Sequence, residues 1–102
     1  MKRAICLSVL LCAGVALAAP RGPRPQTFTG QISDSACGLH HMIPNASARK
    51  CTLQCVQMGA KFVLADRVHH KIYALSDQAK AQPWAGEDVK VSGELKRSTI
   101  EV

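Results

Sequence analysis

The sequence predicts a small, mainly β protein: a five-stranded barrel of OB type with one principal helix inserted between strands 1 and 2. Short segments that alternate apolar and polar residues recur between turn-forming residues within 27–102. One segment of helical periodicity interrupts them. Barrels of the OB type usually place their main helix between strands 3 and 4, so the predicted helix position is a departure. An open α+β sheet with the helix packed across it is the alternative architecture.

The strands are predicted at 27–33, 61–66, 71–76, 88–95 and 99–102. Gly30, in the middle of the first strand, indicates a bulge or a sharp coil. The second and third strands read as a hairpin around residues 67–70. In the fourth strand Val89, Val91 and Leu95 share one face. A short helix or turn at 77–82 is predicted to connect strands 3 and 4.

The principal helix is predicted between an N-cap at Asn45 or Ser47 and a C-terminal glycine, Gly59. Cys51 and Cys55 are only ~40° apart around a helix axis, so both face the same neighbour. That neighbour is predicted to be the loop at 37–41. The stripe that contains the two cysteines is predicted to include Ala48 and Met58, widened by Leu53 and Val56.

The first 18 residues have the pattern of a signal peptide. Lys2 and Arg3 precede an apolar run at 4–18, which ends in the small-x-small pattern of a signal peptidase site. The run is about 15 residues, short of the ~20 that span a bilayer. We therefore expect cleavage near Ala18, a periplasmic or secreted product, and no membrane span in the mature form.

The mature chain is long enough for one domain. Residues 19–26 contain three prolines, which favour extended backbone and indicate a linker before a single domain at 27–102. The formal net charge is +6, yet no run of basic residues exceeds two and aromatic residues make up only 4%. Nucleic-acid binding is not expected from this pattern. An envelope protein or a small ligand is the expected class of partner.

A cluster of soft side chains carries the chemistry of the sequence: Cys37, His40, His41, Cys51 and Cys55, spaced Cys-x2-His-His-x9-Cys-x3-Cys. One interpretation is a disulfide that joins Cys37 to Cys51 or Cys55. Because the mature chain has three cysteines, one thiol is then left over. A bridge that closes about 15 residues contributes ~3 kcal/mol in the chain-entropy model.

The other interpretation is a metal site. Zinc binds thiolates and imidazoles tetrahedrally, so Cys37, Cys51 and Cys55 with either His40 or His41 make a Cys3His set. Nearby supporting residues are Met42 and Met58, whose thioethers suit Cu(I), and Asp34, which can orient a histidine or cap the strand end. Zinc is preferred to copper. Whether a disulfide or a metal occupies the cluster stays open at this point.

Catalysis is not predicted. A Cys–His pair can serve as nucleophile and base, but no convincing third orienting residue accompanies it. The Cys-x3-Cys spacing also differs from the Cys-x2-Cys of thiol oxidoreductases. The sequence therefore favours a non-catalytic binding module or a purely structural and interaction domain.

Several stretches between about residues 27 and 102 together resemble a family of small exported bacterial domains of unknown function. They include Thr29-Gly30-Gln31-Ile32-Ser33-Asp34-Ser35-x-Cys37, a following histidine, Cys51-Thr52-x-x-Cys55-Val56 and Gly59-Ala60-Lys61-Phe62-Val63-Leu64. The resemblance implies an exported β-rich domain in which Asp34, Cys37, a histidine, Cys51 and Cys55 belong to the shared pattern. It implies no activity.

Overall fold

The computed structural model describes residues 25–102. The predicted signal peptide and most of the predicted linker lie outside the described residues. The described chain forms a closed barrel in the order β1-β2-β3-β5-β4, which confirms the mainly β, OB-like fold class. Its strands are β1 (Gln26–Asp34), β2 (Phe62–Asp66), β3 (Lys71–Leu75), β4 (Asp88–Lys96) and β5 (Thr99–Glu101).

Strand β1 is shared between two neighbours. Residues 26–31 pair antiparallel with β4, and residues 31–34 pair antiparallel with β2. Gly30 lies where the strand changes neighbour. A Cβ at that position would be 2.6 Å from the carbonyl oxygen of Ala65, so only glycine fits the close approach. The glycine thus marks a tightly coiled strand, as expected from the sequence.

Two α-helices connect the strands. The principal helix α1 (Ala48–Gln57) follows β1 in the predicted position, and α2 (Gln78–Ala81) continues into a 3₁₀ turn (Gln82–Trp84) between β3 and β4. The Ser47 hydroxyl accepts a hydrogen bond from the Lys50 N–H at 3.1 Å and caps α1. Gly59, with φ of +107°, follows the helix end. No helix within residues 25–102 is long and apolar enough to cross a membrane.

Both helices lie at one end of the barrel, because β1, β3 and β5 end there while β2 and β4 begin there. The helix α1 contacts β1 and extends toward the connection between α2 and β4. Arg49 in its first turn donates a hydrogen bond to the carbonyl oxygen of Pro83 at 3.1 Å. The helix is thereby held over the C-terminal end of β1.

The core fills the barrel and the space under the two helices. Its buried members are Ile32, Phe62, Leu64, Leu75, Ala81, Ala85 and Ile100. Val89 and Val91 pack against this core as expected, but Leu95 is 37% exposed. Leu95 lies near the β4–β5 turn, at the barrel end opposite the helices. Met58, predicted in the buried stripe of the principal helix, is the C-cap of α1 and is exposed. Thr52 is buried beside Cys51 and Cys55 instead.

Candidate metal centre

The site begins with Asp34, the last residue of β1, which is 0% exposed. Its Oδ1 accepts hydrogen bonds from the backbone N–H groups of Ala36 at 3.0 Å and Cys37 at 2.8 Å. The N–H of Gly38 donates to the Asp34 carbonyl oxygen at 2.8 Å, and Gly38 has φ of +60°. This tight turn directs the Cys37 side chain back across the strand end toward α1.

Three thiols meet between this turn and the helix. Cys37 Sγ lies 3.5 Å from Cys51 Sγ and 3.6 Å from Cys55 Sγ, and all three cysteines are free. A disulfide bond is ~2.05 Å long. Two sulfur ligands of a tetrahedral zinc ion, each ~2.3 Å from it, are about 3.8 Å apart. The sulfur positions are therefore close to the spacing of a metal site and too far apart for a disulfide.

Asp34 completes a set of four groups. One of its carboxylate oxygens and the sulfurs of Cys37, Cys51 and Cys55 all lie within 4.8 Å of one another. Oδ2 of Asp34 is buried and has no hydrogen-bond partner among residues 25–102. A buried carboxylate oxygen without a partner is unfavourable, and a cation between the carboxylate and the thiols would compensate for it. The cluster can therefore hold a metal ion.

The surroundings of the thiols disfavour their ionisation in the metal-free protein. Burial raises the pKa of Cys55 to about 12, with further contributions from Cys37 and from the negative charge of Asp34. Burial is also the main cause of the raised pKa of Cys37. A backbone hydrogen bond from Met42 acts in the opposite direction and lowers this pKa. Both thiols are thus protonated at neutral pH in the metal-free protein. Binding of a metal ion would displace their protons.

The two histidines predicted for the site, His40 and His41, lie outside this set of four. His40 is exposed. Nε2 of His41 lies 2.9 Å from Oε1 of Gln31, which also accepts a hydrogen bond from Nη2 of Arg67 at 2.9 Å. Because arginine can only donate, the Gln31 oxygen is the acceptor in both contacts, and Nε2 of His41 carries the proton. Its Nδ1 is buried without a partner among the described residues.

The two methionines predicted to support the site, Met42 and Met58, are exposed to solvent. Met42 is 66% exposed and Met58 is 78% exposed. The sequence predicts a histidine beside the three cysteines and only a supporting role for Asp34. The signal for Asp34 was its position three residues before Cys37 at a strand end, where a turn brings both side chains to the same place.

Comparisons of the chain with protein-family models, with curated proteins and with solved structures find no match. The resemblance to a family of exported bacterial domains accordingly stays a prediction. The arrangement of Asp34, Cys37, Cys51 and Cys55 is the basis on which a function can be argued.

Proposed function

We propose that this protein is an exported, non-catalytic binding domain that holds one zinc ion through Asp34, Cys37, Cys51 and Cys55. The observation that carries the proposal is the fully buried Asp34 carboxylate, with an unpartnered oxygen, beside three free thiols. The end of β1 and the turn that follows it supply two of the ligands, and α1 supplies the other two. Each pair is only a few residues apart, as is common in zinc sites.

Zinc fits this set better than copper does. Zinc accepts carboxylate oxygen and thiolate together, whereas Cu(I) prefers soft sulfur ligands alone. Asp34 supplies a hard oxygen to the cluster. The exposed thioethers of Met42 and Met58 add no buried sulfur ligand. Copper is therefore the less suitable occupant of the same site.

The number of ligands supports a structural role for the ion. Catalytic zinc sites keep one coordination position for water or substrate, while structural sites are filled by four protein groups. Here four protein groups are already close together, and Asp34 and Cys51 are both 0% exposed. Bound zinc would join α1 to the end of β1 and stabilise a domain whose core is small.

A disulfide staple is the second candidate, because Cys37 Sγ and Cys51 Sγ are neighbours at 3.5 Å, although this separation is longer than a disulfide bond. Small movements of the two side chains would bring these sulfurs to bonding distance. Loss of two electrons and two protons to an oxidant of the envelope, such as another protein disulfide, would form the bond. Cys55 would then keep its thiol, and the barrel would act as an interaction domain without a metal.

The deciding experiment is the intact mass of the exported protein, purified without added metal, under native and denaturing conditions. Zinc binding predicts a native mass heavier by one zinc ion and three reduced thiols after denaturation. It also predicts that Cys51→Ser loses the ion while Met42→Leu, a change at an exposed neighbour, keeps it. A metal-free mass two hydrogens lighter, with one reactive thiol, would establish the disulfide and overturn the zinc site.

A further inference from the structure

The three thiols of the metal centre differ in their access to solvent. Cys51 is 0% exposed and Cys55 is 8% exposed, whereas Cys37 is half-buried. Cys37 lies in the turn after β1, and the other two cysteines lie on the buried side of α1. A reagent in solution can therefore reach Cys37 in the folded protein more readily than it can reach the two helical thiols.

Cys37 also contacts both of the other thiols. Its Sγ is 3.5 Å from Cys51 Sγ and 3.6 Å from Cys55 Sγ. A movement of about 1.5 Å would bring either pair to the length of a disulfide bond. Cys51 and Cys55 project from consecutive turns of one helix in nearly the same direction, which suits a disulfide between them poorly. Cys37 is therefore the common partner of the two favourable disulfides.

We propose that Cys37 is a redox-sensitive site at which an external disulfide oxidises the cluster and thereby releases the zinc ion. The inference rests on the zinc site proposed above and adds the regulation of that site. It needs no residue beyond the three cysteines, which the structure already brings together. The oxidant is any disulfide small enough, or exposed enough on another protein, to reach Cys37.

The reaction consists of two thiol–disulfide exchanges. First, the Cys37 thiolate attacks one sulfur of the external disulfide, which forms a mixed disulfide on Cys37 and releases one external thiolate. The thiolate of Cys51 or Cys55 then attacks Cys37 Sγ and displaces the second external thiolate. Two electrons pass from two cysteines to the external disulfide, whose two thiolates take protons from solvent. The cysteines have already lost their protons on binding zinc.

The new disulfide removes two of the four ligands of the ion. Zinc binds thiolates, and the sulfurs of a disulfide are no longer thiolates. Asp34 and one thiol remain, which is fewer than the three protein ligands of even a catalytic zinc site. The ion should therefore leave. The disulfide joins the turn after β1 to α1, as the zinc ion would, so the barrel remains folded when the ion is released.

The test starts from the exported protein with one zinc ion bound and its three cysteines reduced. Oxidised glutathione is added, samples are quenched with acid, and the intact mass is followed together with zinc release to a chromogenic chelator. We expect one glutathione adduct, which peptide mapping places on Cys37, and then its conversion to a disulfide between Cys37 and Cys51 or Cys55. One zinc ion should be released for each disulfide formed. Reduction by a phosphine and addition of zinc should restore the zinc-bound protein.

Cysteine variants identify the thiol that reacts first. In Cys37→Ala the first adduct should form about 10-fold or more slowly, because the two remaining thiols are buried and react only after local opening. Cys51→Ala and Cys55→Ala are the matched controls, since each keeps Cys37 and one helical thiol. Both should form the adduct on Cys37 and convert it to a disulfide. These rates are compared with reduced, zinc-free wild type, because each variant lacks one zinc ligand, and circular dichroism checks that each variant is folded.

Three results with the zinc-bound wild type would overturn the proposal and leave the zinc site intact. They are resistance to an excess of oxidised glutathione, a first adduct on Cys51 or Cys55, and a disulfide that forms while the ion stays bound. A reduced wild-type protein that binds no zinc would instead contradict the proposed function, and the regulation by Cys37 with it. The mass and the chelator signal before oxidant is added separate these two kinds of failure.

Discussion

Gly86 lies directly against the backbone of Arg49. A Cβ on Gly86 would be 2.3 Å from the Arg49 nitrogen, and the residue has φ of +79°. Arg49 is two positions before Cys51 on α1. The glycine before β4 therefore sets how closely the first turn of α1 approaches the barrel, and with it the positions of Cys51 and Cys55.

Gly86→Ala should lower both stability and zinc affinity. The left-handed backbone alone costs about 1–3 kcal/mol for a residue with a side chain, and the contact with Arg49 adds to it. The free energy of unfolding can be measured by urea titration with and without zinc. Gly59→Ala is the matched control, since Gly59 also has positive φ but no atom within 4 Å of its Cβ position. An equal loss in both variants would show that the α1 contact is unimportant.

Asp34→Asn should weaken zinc binding by about 10- to 100-fold or more. Changes in the residues around a metal ligand alone have effects of this size, and here a charged ligand is lost. An asparagine oxygen can still accept the hydrogen bonds of Ala36 and Cys37, so the turn is kept. Competition with a chromogenic chelator measures the affinity. Unchanged affinity would remove Asp34 from the ligand set.

His41→Gln distinguishes the carboxylate from the imidazole as the fourth ligand. In the geometry observed, His41 contacts Gln31 rather than the cluster, so its replacement should reduce zinc affinity much less than Asp34→Asn. His40→Gln, at an exposed residue, is the control and should have no effect. If His41→Gln abolished binding and Asp34→Asn did not, the Cys3His set expected from the sequence would be the correct one.

Asp66 gives the fold a contribution that depends on pH. It accepts hydrogen bonds from the backbone and the ring of His69, at 3.1 and 2.7 Å, and the ring contact is the first cause of its lowered pKa. A lowered pKa in the folded state means that the ionised carboxylate favours folding. This stabilisation is full above the pKa of the unfolded chain and is lost as the pH falls through the folded value.

Asp66→Asn should therefore lower Tm at pH 7, and its difference from the wild type should shrink as the pH falls below about 4, the ordinary pKa of an aspartate. Thermal unfolding followed by circular dichroism across this range measures both. Asp77→Asn is the control, because Asp77 caps α2 through the Lys80 N–H and has no histidine partner. A Tm difference between Asp66→Asn and the wild type that does not vary with pH would contradict the assignment.

Most of the fold was predictable because its signals are local. Alternation and runs of strand-forming residues located every strand within one residue at each end, and Ser47 and Gly59 marked the ends of α1. The site was less predictable. Periodicity correctly put Cys51 and Cys55 on one side of α1, but the Cys-x2-His spacing favoured a histidine as fourth ligand. The tight turn at Gly38 leaves His40 exposed and brings Cys37 toward the buried Asp34.

All four groups of the site lie between positions 34 and 55, on two neighbouring segments of the chain. Contacts over such short separations form with a small loss of chain entropy, whereas the closure of the barrel requires β1 to meet β4 across a much longer separation. An ion that binds the turn and α1 can therefore assemble this corner first. Refolding should then be faster with zinc than without it, and the site would act as a nucleus for the barrel as well as a clamp on it.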